Sequence, residues 1–65
     1  MTSSDVGFEL ELDRVRDALR MIDAPTAGII SAIARMPLIR VFACLAELER
    51  RQLAFRHGVD QWSNT

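Results

Sequence analysis

The side chains that ordinarily carry covalent chemistry are scarce in this 65-residue chain, which has one cysteine, Cys44, and one histidine, His57. A thiol nucleophile needs a base beside it. Cys44 falls beside a run of core-forming residues, so the two do not make a dyad. Metal ligation fares no better, because no Cys or His pair stands at ligand spacing. There is no Gly-rich phosphate loop either. Neither an enzyme nor a bound cofactor is expected, and no small-molecule substrate suggests itself. What remains is ionic chemistry. All eight basic side chains are arginine, a residue suited to bidentate contacts with phosphate or guanine. A bias toward GC-rich codons explains the same preference equally well.

Net charge is only −1, but its distribution is uneven. Through Asp23, six acids face three arginines; from Arg35 to His57, five arginines face two glutamates. That asymmetry predicts a folded domain with one basic end.

The stretch Pro37 to Trp62 must position these groups. Leu38, Val41, Leu45 and Leu48 recur at helical spacing, and Phe42 widens the stripe, which predicts a helix over 37–52. Pro37 suits its first turn. Arg40, Glu47, Arg50 and Arg51 fall on the other side, the last two near the negative end of the helix dipole. Leu53 and Phe55 then alternate with Ala54 and Arg56, His57 to Asp60 supplies turn chemistry, and Gln61–Trp62 returns. This predicts a hairpin over 53–63. Being marginal alone, it must lie on the helices, with Phe55 and Trp62 as the expected anchors.

Residues 1–8 are expected to be a flexible N-terminal segment. Phe8, Leu12, Val15, Leu19 and Ile22 form a helical stripe, predicting a first helix from about Glu9 to Ile22. The alternation of Val6, Phe8, Leu10 and Leu12 fits a strand over 6–12 instead, able to pair with the hairpin or a second subunit. Ala24 before Pro25 breaks the chain. Thr26 or Asp23 then caps a second helix, about Thr26 to Arg35. No charge occurs from Ala24 to Ala34. A helix apolar nearly all round implies a covering surface, so Gly28, Ile29, Ala32 and Ile33 are the expected dimer or partner interface. Tight packing between the other helices is the alternative.

These elements amount to one mostly α domain with a small β-hairpin. No apolar run approaches the roughly 18 residues of a membrane span, and no signal peptide opens the chain. The lone Cys44 cannot form an internal disulfide, so a reduced, cytoplasmic setting is expected.

The run from Val15 to Trp62 resembles a winged helix-turn-helix DNA-binding domain, three helices plus a wing, here over 9–63. It is particularly similar to the C-terminal winged-helix domain of the bacterial DNA-processing protein A family, and to small free-standing winged-helix regulators. Its strongest part is a proline before the third helix, followed by V-x-x-x-L-x-x-L-E at Val41, Leu45, Leu48 and Glu49. Two positions depart from the family pattern: Arg35–Met36 between helices two and three, and Gln52 after helix three, where such families often place Gly. A non-Gly residue at Gln52 either turns left-handed at a cost of about 1 kcal/mol or lets the helix run on. The chain starts at Met1 and lacks the nucleotide-fold domain of a full DNA-processing protein, so it is either an excised domain or an independent small protein, the latter being the expectation.

The resemblance implies that the third helix enters the major groove while the wing touches the backbone or minor groove. Ile39, Arg40, Ala43 and Glu47 would then face the groove, with Arg35 near phosphate and Arg56, His57 and Gln61 on the wing. It also turns Ala27, Ile30 and Ala34 toward the core. The leading expectation is a homodimeric transcriptional regulator binding double-stranded DNA; the alternative is an interaction module docking a protein through helix 26–35 without DNA. No membrane association is expected of either.

Overall fold

The computed structural model describes residues 3–64, with side chains from Val6 onward. Three helices, α1 (Ser3–Met21), α2 (Ala27–Ala34) and α3 (Leu38–Arg50), precede a hairpin of β1 (Ala54–His57) and β2 (Gln61–Asn64). The protein is therefore mostly α with a small antiparallel hairpin. Met1 and Thr2, part of the expected flexible segment, lie outside the described residues.

α1 begins at Ser3, not near Glu9, and residues 6–12 are helical, not strand. The reason is burial. Leu12, Val15 and Leu19 enter the core and Phe8 packs against it, whereas Val6 and Leu10 stay exposed. A strand would have put Val6, Phe8, Leu10 and Leu12 on one face, away from Val15 and Leu19. Gly7 costs the helix about 1 kcal/mol, and the packing of Phe8 one turn ahead of Leu12 offsets it. Ile22, expected to complete the stripe, lies beyond the helix and is exposed.

The chain then turns through Ala24, whose φ of 48° is left-handed, into fully buried Pro25. Thr26 is the N-cap of α2, its hydroxyl accepting from Ile29 N–H at 3.3 Å. Ala27, Ile30 and Ala34 are buried. At the far end Arg35 takes a left-handed conformation, φ 56° and ψ 51°. The next amide, of buried Met36, reaches back to Ser31 O at 3.2 Å, and Ser31 Oγ donates to Met36 O at 2.5 Å.

Pro37 is the N-cap of α3, one position earlier than a first-turn proline, and its carbonyl accepts from Arg40 and Val41. Val41, Cys44, Leu45 and Leu48 form the buried face. α3 ends at Arg50 instead of running to residue 52. Gln52 adopts φ 62°, so that Gln52 N–H bonds to Glu49 O at 3.0 Å and Leu53 N–H to Leu48 O at 2.8 Å. This is the Schellman closure, with glutamine where glycine is usual.

In the hairpin Ala54 pairs with Asn64, Phe55 with Ser63, Arg56 with Trp62 and His57 with Gln61. His57 thus belongs to β1, and the turn is Gly58–Val59–Asp60, entered with φ +61° at Gly58. Trp62 is buried as an anchor, but Phe55 is not: it is 43% exposed. Side chains alternate along a strand. Once Trp62 sets the inner face, Ala54 shares it and Phe55 must point outward. Trp62 N–H donates to Pro25 O at 3.0 Å. One oxygen of Asp60, Oδ1, accepts from both the Trp62 indole (3.2 Å) and Ala27 N–H (3.3 Å), fastening the hairpin to the start of α2. No single helix among the described residues is long and apolar enough to cross a membrane; α2 and α3 match that composition only jointly, across a 108° bend.

Candidate functional site

α3 has two unlike sides around its buried face. The first carries arginines, paired with carboxylates of α1 and of α3 itself. Arg40 donates from Nε (3.2 Å) and Nη2 (2.5 Å) to Glu11 Oε1, and its guanidinium lies 5.8 Å from the centre of the Phe8 ring. Arg51 donates from Nη1 and Nη2 to the two oxygens of Glu9, at 3.2 and 2.8 Å, and from Nε to Glu47 at 2.6 Å. Arg50 holds both oxygens of Glu47, at 3.0 and 2.5 Å.

The protonation equilibria follow. Hydrogen bonds from Arg50 and Arg51 hold the Glu47 carboxyl down at about 2. The Arg51 bond lowers Glu9, while Glu11 raises Arg40, and Glu9 and Glu47 raise Arg51. Exposed ion pairs contribute little to stability, typically 0 to about 1 kcal/mol each. Their effect here is on the field. Two acids of the first third, Glu9 and Glu11, lie against two arginines of the last third, Arg51 and Arg40, so part of the charge asymmetry along the chain is cancelled in space.

The second side of α3 is apolar and open. Ile39 is 77% exposed, and Leu38 and Phe42 are each 47% exposed. Ala43 and Ala46 are exposed among them. Leu38 and Phe42 were expected in the core stripe; the buried face instead centres on Val41, Cys44, Leu45 and Leu48, which leaves those two on its flank. Burial pushes the Cys44 thiol up to about 11, so it stays protonated at neutral pH. Among the described residues, no group of three His, Cys, Asp or Glu is placed to hold a metal ion.

The expected groove-facing residues therefore divide. Ile39 and Ala43 are free on the outer side of α3, whereas Arg40 and Glu47 are held in ion pairs. Arg35 is exposed at the end of α2. On the hairpin, the Arg56 guanidinium lies 5.9 Å from the Trp62 ring centre. His57 Nε2 is 2.5 Å from Ser63 Oγ, with its ring 4.5 Å from that of Phe55. Gln61 is exposed opposite His57.

The expected interface on α2 is only partly available. Gly28, Ile29 and Ala32 are exposed, but Ile33 is half-buried against the core and so has an internal partner. Ile29, 42% exposed, is the one large apolar side chain fully on that surface. Sequence spacing missed the roles of Glu9 and Glu11. The available signal was their position on either flank of the Phe8–Leu12 stripe. Comparison with known protein families, curated proteins and solved structures finds no match to this chain.

Proposed function

We propose that this protein is a winged-helix-like docking module that binds another protein through the outer side of α3, and that duplex DNA is not its partner. One observation carries this reading: the first turns of α3 present Leu38, Ile39 and Phe42 to solvent. A helix-turn-helix reader uses that part of its recognition helix to touch base edges. Base edges are rows of hydrogen-bond donors and acceptors, which three apolar side chains would desolvate without pairing. Phosphates approaching α3 would also have to compete with Glu9, Glu11 and Glu47 for Arg40, Arg50 and Arg51. The same surface suits a protein partner, since the core of a protein interface favours aromatic and aliphatic anchors and excludes charge. α2, with only Ile29 fully outward, is the lesser surface. A cytoplasmic setting belongs to this reading, because a free thiol stays reduced there.

Duplex binding has its own support in Arg35 and Arg56, which are exposed and lack a carboxylate partner among the described residues. Two phosphate contacts correspond to a log–log salt slope of only about −2. The test is a titration of labelled random duplex with the full chain at low salt. No saturable binding is expected. Saturable binding with a steep salt dependence, flattened by about one unit in Arg56→Ala, would replace the docking reading with the DNA reading.

A further inference from the structure

Which protein covers α3 follows from the charges at the two ends of its exposed stripe. Leu38, Ile39, Phe42 and Ala46 form the stripe, Arg35 stands just before the helix and Glu49 near its end. Both charged residues are exposed, and among the described residues neither makes an ion pair or a side-chain hydrogen bond. Phe42 is equidistant from them in sequence. Building on the docking proposal, we infer that the partner is a second copy of this chain. Its α3 packs antiparallel on the first, with Phe42 at the two-fold axis and Arg35 of each copy facing Glu49 of the other.

A two-fold axis sets a patch against itself, so positions mirrored about the axis meet. Mirrored about Phe42, Leu38 meets Ala46, a large side chain over a small one, and the alanine allows the helices to approach closely. No charge lies at the centre of the stripe, so none is buried unpaired. The antiparallel sense is set by the ends: a parallel pairing would bring arginine to arginine and glutamate to glutamate. The other flank of α3, with Arg40 and Arg51 bonded to α1, takes no part and keeps its own ion pairs. A single helix pair of this length is at the small end of stable interfaces, so the dimer dissociates on dilution.

The test is sedimentation equilibrium of the full chain at low salt, from micromolar to millimolar concentration. Wild type gives a monomer–dimer equilibrium. Arg35→Glu and Glu49→Arg each set two like-charge pairs across the axis and weaken association about tenfold. An equimolar mixture of the two variants recovers wild-type association, because every contact again joins opposite charges. Mixing cannot rescue a variant that has merely unfolded. A wild type monomeric throughout, single variants that associate as well as wild type, or a mixture no better than its components would each overturn the second-copy assignment. A monomeric wild type that also leaves duplex DNA unbound removes this assignment alone, whereas steeply salt-dependent DNA binding removes the docking proposal beneath it.

Discussion

Arg40 on α3 and Glu11 on α1 are joined by two hydrogen bonds to one carboxylate oxygen, across 29 residues of sequence. Together with the Arg51–Glu9 pair, this contact decides what α3 offers a partner. Arg40, the one arginine of α3 expected to face the groove, is turned toward α1 instead. The side left open holds Leu38, Ile39 and Phe42.

Asp60 holds the hairpin to α2 through a single oxygen that serves two donors, Trp62 Nε1–H and Ala27 N–H. Asp60→Ala should cost about 1–3 kcal/mol, because both donors lose their acceptor in a partly buried place. Thermal melting measures the cost, and a red shift of Trp62 fluorescence reports the loosened hairpin. A melting midpoint equal to wild type would show that the hairpin is held by Trp62 packing and the Pro25 carbonyl alone.

Gln52 carries the opposite expectation. Its φ of 62° is left-handed, a conformation that costs a residue with a Cβ about 1–2 kcal/mol, whereas glycine adopts it freely at an entropic cost of about 0.5–1 kcal/mol in the unfolded chain. On the backbone alone, Gln52→Gly should relieve roughly 0.5–1 kcal/mol, and chemical denaturation reads that gain against what the glutamine side chain contributes. Destabilisation would mean that the glutamine side chain contributes more than its backbone loses.

Acid should weaken the α3 ion pairs in a defined window. The Glu47 carboxyl is depressed from 4.5 to about 2 by Arg50 and Arg51. A depressed carboxyl contributes stability above its unfolded value, and that contribution is lost as pH falls through the folded value. Glu47→Gln should melt below wild type at neutral pH, with the gap closing between pH 4.5 and about 2. A gap that persists unchanged at pH 2 would place the glutamate's role in packing and not in charge.

Much of the fold was legible because its signals are local or periodic. Thr26 at a helix start, Ala24 before Pro25 and the repeat of Val41, Leu45 and Leu48 locate α2 and α3 directly. The left-handed turn at Gln52 was one of two outcomes that its position after a core helix allows. The rest depended on tertiary choices. Residues 6–12 satisfy strand and helix periods alike, and only the shared burial of Phe8, Leu12 and Val15 selects the helix. Phe55 and Trp62 were both expected as anchors, but the parity of the hairpin is fixed by Trp62 and turns Phe55 outward. The candidate site was the least legible part, because Glu9 and Glu11 meet Arg51 and Arg40 only after α1 crosses α3.

Masking of the α3 arginines by α1 is tested most directly by the salt dependence of duplex binding in wild type and in the Glu9→Gln, Glu11→Gln double variant. Fluorescence anisotropy of a labelled random duplex reads both. Wild type should show no saturable binding at low salt. The double variant, with Arg40 released and Arg51 held only by Glu47, should bind weakly with a log–log slope of about −1. Wild type that binds tightly with a steep slope, and a double variant that binds no better, would contradict the masking and return α3 to the groove.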